Sequence, residues 1–575
     1  MQVTQDFKIN KEARRETGLG DVLLELGILS SEQLEEELRR QKSTGEKLEE
    51  LLIKDGLVNE KQLIQVLKAY RNLPYIDFSG FRIDPQVPRL ISESLARRHM
   101  LIPVSREGNE IVVAMSDPFN LYAIDDVSIA TGLNVKPALA LRSSIRIAVD
   151  QYYGNESAER AVSDFVKEAG ATPDPMKRSV EREALAVDAV NHAPAVRLVN
   201  SIMERAVRAR ASDIHIEPYE GEVRIRFRID GDLQEIMTVS RAVHSAVVTR
   251  IKILGRMDIA EKRLPQDGRV EMQVDNKEVD LRISVLPTIY GEKIVVRLLN
   301  RNSTIRTKCQ LGFSEGNIKL FSKLIRSPNG IILVTGPTGS GKTTTLYAAL
   351  QELNRTSRNI ITVEDPVEYH LDGINQVQVN TRTGLTFANG LRSILRQDPD
   401  IIMIGEIRDA ETAEIAIRAS ITGHLVLSTM HTNDSASAVS RLVDMGIEPY
   451  LVSSAVIGVV AQRLVKKICT NCRKAYQPVP SERELLHLSQ ADVLYRGTGC
   501  NMCGNTGYLG RTSIHEVMLM TREIRELITG RASIDQLRMA ASRHGTVPLH
   551  ENCGQLVRQG ITSLDEMLRI TYRLE

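Results

Sequence analysis

The segment GPTGSGKT at 336–343 fits G-x-x-x-x-G-K-[ST], follows the apolar run IILVT and precedes TTTLYAALQEL, which reads as a helix. A glycine-rich turn between strand and helix lets backbone N–H groups face phosphate oxygens, while a lysine neutralises β/γ charge and a threonine hydroxyl suits Mg²⁺. Gly336, Pro337, Thr338, Gly339, Ser340, Gly341, Lys342, Thr343 and Thr344 therefore form a candidate phosphate-binding loop. A chance glycine-rich turn is a poor alternative once both flanking elements are present.

Carboxylates end two further apolar runs. ITVEDPVEY carries Glu364 and Asp365, and IIMIGEIRD carries Glu406. In a parallel sheet these ends converge on the loop, where a carboxylate holds Mg²⁺, directly or through water, or orients an attacking water as general base. One acidic strand end alone is usually a solvated charge; three carboxylates on two strand ends beside a phosphate loop favour chemistry. LVLSTMHTND places His431 at a fourth strand end, with His424 just before that strand. A lone histidine is more often structural, so both rise above that reading only through their neighbours.

CTNC at 469–472 and CNMC at 500–503 make a third constellation. Although residues 473–499 form a longer spacer than a compact zinc ribbon uses, two CxxC turns still close a tetrahedral Cys₄ site at Cys469, Cys472, Cys500 and Cys503. Such a site has no open coordination position and is read as structural Zn²⁺. Cys309 and Cys553 stand alone.

These groups need scaffolding. At 575 residues the chain exceeds one usual core, and the length predicts about three or four domains. With 74 basic and 73 acidic side chains and a formal net charge of +1, no charge bias points to direct nucleic-acid binding. MQVTQDFKINKEARRE lacks the apolar core of a signal peptide, and no apolar run is long enough for a membrane span, so a cytoplasmic location is expected.

The segment GLGDVLLELGILSSEQLEEELRRQ recurs as KLEELLIKDGLVNEKQLIQVLKAY, aligning Leu19, Leu23, Gly27, Leu34 and Leu38 with Leu48, Leu52, Gly56, Leu63 and Leu67. Each copy reads as helix, glycine stop and second helix, the latter starting at Ser30 or Asn59. Residues 1–72 are thus expected to form a helical repeat, 73–153 a small α/β module and 154–192 a polar linker. EVRIRFRI, VDLRISVLP and KIVVRLL read as strands of an α+β domain at 193–304, followed by an α/β ATPase-type domain at 305–575 with a cysteine insertion at about 469–510.

From about Pro194 onward, these strings resemble the ATPases of type II secretion and type IV pilus assembly. GPTGSGKT resembles their Walker A motif, ITVEDPVEY the Asp box, IIMIGEIRD Walker B and TGHLVLSTMHTND the His box; ASDIHIEP at 211–218 and LPQDGR at 264–269 are also family-like. The resemblance implies a RecA-like domain preceded by a smaller PAS-like α+β domain, assembled as a homo-hexamer with ATP between domains and subunits. Lys342 and Thr343 would bind phosphate and Mg²⁺, with Glu406 in the metal and catalytic site. Glu364 is the candidate base, because Gly405 stands where many P-loop ATPases carry the Walker B aspartate.

Arg226 and Arg241 resemble family arginines that complete the ATP site from the preceding domain. Arg392, Arg396 and Arg408 fit structural or interface arginines, and Arg408 with Asp409 reads as an interface pair. The implied machine is a cytoplasmic motor peripherally attached to the inner membrane, acting on a platform protein. The alternatives are an ATP-dependent switch or scaffold with little turnover, a pilus retraction motor and, from a different class, a small-molecule phosphotransferase.

The N-terminal repeat resembles a module that in some of these ATPases binds cyclic di-GMP. Gly18, Lys47, Glu49 and Tyr70 depart from its Arg, Arg, Gly and Gln positions, so docking to a membrane or cytoplasmic partner stands beside nucleotide binding as a reading.

Overall fold

The computed structural model describes residues 23–24, 29–44, 52, 57–58, 74–76, 78, 83–84, 86–118, 120–153, 193–274, 277–300 and 307–571. Most of the repeat expected over 18–70, and the whole linker at 154–192, lie outside the described residues. Within the first copy, Ser31–Thr44 is a helix. Its start is capped reciprocally: the Gln33 N–H donates to Ser30 Oγ at 3.3 Å and the Ser30 N–H donates to Gln33 Oε1 at 2.9 Å. Leu34 is buried on its inner face.

Three strands follow: β1 (Leu101–Glu107), β2 (Glu110–Met115) and β3 (Asn134–Leu139). They form one sheet in the order β1-β2-β3, antiparallel then parallel. The β2-to-β3 crossover is the helix Leu121–Thr131, capped by Asn120 and ended by Gly132.

The next sheet has six strands in the order β6-β5-β4-β9-β8-β7, every pair antiparallel. They are β4 (Asp213–Pro218), β5 (Glu222–Ile229), β6 (Asp232–Ser240), β7 (Gln266–Val274), β8 (Lys277–Thr288) and β9 (Gly291–Asn300). One face of β5 is buried and the other is not, because successive side chains point to opposite faces. Helices Ala193–Arg208 and His244–Leu254 cover the apolar face through Leu198, Ile202, Val247 and Ile251. Asp230 and Gly231 turn β5 into β6 with φ of 50° and 99°, the two positive values that an Asp-Gly hairpin turn takes.

The third sheet builds the α/β domain. It comprises β10 (Gly330–Thr335), β11 (Ile360–Glu364), β12 (Asn375–Gln378), β13 (Ile401–Ile404), β14 (Leu425–Met430), β15 (Val456–Ile468) and β18 (Tyr508–Leu519). The order is β12-β11-β13-β14-β10-β15-β18, parallel throughout except for the antiparallel edge strand β18. Strands β10, β11, β13 and β14 are buried at every position. Helices cover both faces, which explains why these strands read as continuous apolar runs without alternation. Between β15 and β18 the chain leaves the sheet to form a cysteine lobe with a small hairpin, β16 (Arg473–Tyr476) and β17 (Leu494–Gly497). Among the described residues, no helix is long and apolar enough to cross a membrane.

Candidate functional site

The sheet order places β11, β13, β14 and β10 side by side with their carboxyl ends at one edge. Residues 336–341 leave β10 and lead into the helix Lys342–Leu353. Gly336, Gly339 and Gly341 have φ of 148°, 78° and 87°, values that glycine adopts without a Cβ penalty. At Gly336 a Cβ would also meet the Gln462 carbonyl oxygen at 2.4 Å and Ser340 Oγ at 2.7 Å.

Pro337, Thr338 and Gly339 are exposed at the crest, whereas Ser340 and Lys342 are buried. Ser340 Oγ is a buried hydroxyl with no protein partner. Lys342 Nζ donates to the Gly336 and Pro337 carbonyls at 2.9 and 3.1 Å, and burial pushes its pKa down to about 8 against a raising influence from Glu406. A buried ammonium held only by its own loop's carbonyls fits a site for anionic phosphate. Thr343 and Thr344 are half-buried in the first turn of the helix.

Gln462 on β15 was not legible in the sequence as part of this site. It is 2% exposed, donates from Nε2 to the Ser340 carbonyl at 2.9 Å and accepts from Thr345 Oγ1 at 2.7 Å. It therefore props the loop from beneath. Thr335 ties the same strand end to β14 by accepting the Thr432 N–H at 2.9 Å.

Glu406 emerges beyond β13 with its carboxylate between Arg408, at 2.5 Å, and His431 Nε2, at 3.4 Å. Burial and the Lys342 charge lower the His431 pKa. Glu364, the last residue of β11, is 3% exposed and accepts three side-chain hydrogen bonds: Tyr347 OH at 2.5 Å, Thr362 Oγ1 at 2.7 Å and Gln376 Nε2 at 3.1 Å.

Other expected residues lie elsewhere. His424 is at the amino end of β14, with Nδ1 2.8 Å from the Ala419 carbonyl oxygen, so the structure separates it from His431. Arg226 pairs with Glu217 at 2.7 Å, and Arg241 donates to the Glu220 and Tyr290 carbonyls at 2.7 and 3.3 Å. A cavity of 340 Å³ beside the loop is lined instead by Asp230 and Gly231 of that domain, together with Pro337–Ser340, Arg463, Lys466, Arg511 and Arg569.

Arg408 and Asp409 serve different partners. Asp409 caps the helix Ala410–Ile421 by accepting the Thr412 N–H at 2.8 Å, while Arg408 neutralises Glu406. Arg392 pairs with Glu411 at 2.6 Å, and Arg396 donates to the Arg392 carbonyl at 3.0 Å.

The four cysteines of the lobe are buried, with all Sγ atoms within 4.8 Å of one another. Three separations are 3.8 Å (Cys469 to Cys500), 3.9 Å (Cys472 to Cys503) and 3.7 Å (Cys500 to Cys503). A tetrahedron with Zn–S bonds of about 2.3 Å has edges of about 3.8 Å, so this sulfur set fits zinc. The Gly507 N–H points at Cys503 Sγ at 3.2 Å, a polar support suited to a thiolate. Cys472→Ser should lower bound zinc from about one ion per chain to near zero in elemental analysis; stoichiometric retention would contradict the four-cysteine assignment.

The model of the family described as Type II/IV secretion system protein matches residues 188–569, and a model of the MshEN domain matches residues 71–159. The type IV pilus assembly ATPase PilB of Myxococcus xanthus is 42% identical over 557 residues, covering 96% of this chain and 98% of that protein. Type II secretion system protein E of Xanthomonas campestris is also 42% identical, covering 97% and 98%. HxcR, a type II secretion system protein of Pseudomonas aeruginosa, reaches 51% identity over 386 residues, covering 67% of this chain and 79% of its own. With this coverage joined to the P-loop sheet, the chain belongs to the type II/IV secretion system protein family and is one of its secretion and pilus-assembly type ATPases.

Proposed function

We propose that the chain hydrolyses Mg·ATP to ADP and phosphate and converts the cycle into movement between its α+β domain and its RecA-like domain. The observation that carries this reading is the convergence of Glu364 and Glu406 on the neighbouring ends of β11 and β13 and of the Lys342 loop on the end of β10, beyond β14, all at the same edge of the parallel sheet. Lys342 takes the β/γ phosphate charge, and Mg²⁺, when bound at Thr343 and Glu406, would neutralise phosphate oxygens. Glu364 accepts a proton from water as the water oxygen bonds to Pγ; the bond from Pγ to the bridging oxygen breaks, and ADP leaves with those electrons. His431, beside Glu406, links that carboxylate to the end of β14.

Arg226 and Arg241 are proposed to act in an assembled homo-hexamer, where a neighbouring subunit supplies the facing phosphate. Pilus-assembly and type II secretion relatives match with equal identity and nearly equal coverage, which supports a motor for either machine, attached to a platform protein at the cytoplasmic face of the inner membrane. In the proposed division into 1–72, 73–153, 154–192, 193–304 and 305–575, the separate three-, six- and seven-stranded sheets support the second, fourth and fifth segments. The N-terminal module is proposed to dock a partner, with cyclic di-GMP as the other ligand to test.

Phosphate release by the purified, assembled protein checks the reading. Turnover is expected with Mg·ATP and not with ATP plus chelator. Nucleotide binding without phosphate release would overturn the motor and leave a switch or scaffold.

A further inference from the structure

Glu364 does not stand alone at its strand end. Tyr347, five residues into the helix that begins at Lys342, is 1% exposed and donates its hydroxyl to Glu364 Oε2 at 2.5 Å. The same hydroxyl accepts the Glu368 N–H at 3.3 Å. The Glu368 side chain, in turn, pairs through Oε2 with Arg282 Nη2 at 2.9 Å. Arg282 belongs to β8 of the preceding domain. Three successive contacts therefore run from one domain's sheet to the carboxylate at the other domain's phosphate site.

We propose that Tyr347 is a positioning residue for Glu364, and that Arg282 sets its hold according to where the α+β domain sits. The inference rests on the reading of Glu364 as the base. Glu364 Oε1 already accepts from Thr362 and Gln376, whereas Oε2 accepts from Tyr347. A water therefore bonds at Oε2, whose remaining lone pair faces the way that the Tyr347 hydroxyl leaves it. Thr362 sits two residues back on the same strand, and Gln376 on β12 is also tied to the Tyr369 carbonyl at 3.0 Å. Both therefore move with the RecA-like sheet. Tyr347 alone among the three is joined through Glu368 to the other domain.

When that domain moves, Arg282 leaves Glu368, residues 365–368 relax up to Tyr369, which Gln376 holds, and the hydroxyl loses the N–H that fixes its direction. Glu364 is then free to turn toward water. Burial, followed by the negative charge of Glu364, raises the Tyr347 pKa, so the hydroxyl keeps its proton and acts only by donating it in a hydrogen bond. The packing helps to hold this geometry, with the Tyr347 and Tyr369 rings meeting edge to face at 6.1 Å and 74°.

The test uses the full-length assembled protein with Tyr347→Phe, Arg282→Gln and the double variant. Two readouts are taken: hydrogen exchange of the Glu368 amide without nucleotide, and kcat and KM for ATP measured separately. Tyr347→Phe should speed that exchange about five- to tenfold, since one modest hydrogen bond is lost. It should also change kcat several-fold while leaving KM for ATP within about twofold, because the hydroxyl acts on the base and not on the nucleotide.

Arg282→Gln changes a partly exposed side chain and should shift both readouts in the same direction by less. The double variant should go no further than Tyr347→Phe, as residues in one chain of contacts are not additive. An unchanged kcat in Tyr347→Phe, wild-type behaviour of Arg282→Gln, or additive changes would each overturn the proposal. Wild-type turnover in Glu364→Gln would instead sink the base assignment, while the exchange data would still judge the contact chain.

Discussion

Lys342→Ala is expected to reduce ATP turnover by roughly 10²- to 10³-fold, the size found when one preorganised charge donor is removed from a phosphoryl or oxyanion site. The fold should survive. The lysine head group bonds only to Gly336 and Pro337 in its own loop, and the helix behind it is anchored by buried Leu346, Tyr347 and Leu350. Steady-state phosphate release and a thermal melt on the same preparation check both halves. Unchanged turnover would refute the assignment of the loop.

The unmodified protein has a related signature. With the Lys342 pKa pushed down to about 8 by burial, the nucleotide-free lysine loses its proton as pH rises through that value. Phosphate binding favours the protonated form, so ATP affinity should weaken above about pH 8, by up to about tenfold per unit. This dependence should vanish in Lys342→Ala, as titration with a non-hydrolysable ATP analogue would show.

Glu364→Gln is expected to leave nucleotide affinity within a few-fold of wild type and to lower kcat by about 10²- to 10⁴-fold, the usual share of a general base. Glutamine keeps the volume of a 3% exposed side chain. Its carbonyl can still accept from Tyr347, but its amide cannot accept from Thr362 or Gln376 or take a proton from water. A modest loss of stability from those mismatched donors is expected alongside. Single-turnover measurements separate binding from chemistry, and a wild-type chemical rate would end the case for Glu364. Glu406 differs in kind: Arg408 and His431 already share its charge, an arrangement suited to metal and charge placement.

Much of this molecule was legible before folding. GPTGSGKT carries its own flanking strand and helix, so its backbone geometry follows from local glycine placement. The runs IILVT, IIMI and LVLSTM are apolar at nearly every position because parallel strands are covered on both faces, and the α/β class followed from that pattern. Less legible were residues whose partners are far away in the chain. Arg408 and Asp409 look like a charge pair in sequence, yet one faces Glu406 and the other caps a helix, because the chain turns from strand end to helix start between them. Arg226 and Arg241 have the residue type an ATP site needs, but within this chain their partners are Glu217 and the Glu220 and Tyr290 carbonyls.

The sequence by itself determined the elements that are properties of contiguous chain: the phosphate loop, the acidic strand ends, the paired CxxC turns and the alternation of β5. Spacing within a few residues suffices for each, since backbone dihedrals and side-chain periodicity are local. Only the tertiary structure decided which distant groups complete them. The order β11-β13-β14-β10-β15 brings Gln462 under Ser340 and gathers Glu364, Glu406 and Lys342 at one edge. Domain packing then sets Arg282 against Glu368 and, through Tyr347, against Glu364. The physical reason is that crossover connections and domain contacts join segments tens to more than a hundred residues apart, and no local periodicity records which strand will lie beside which.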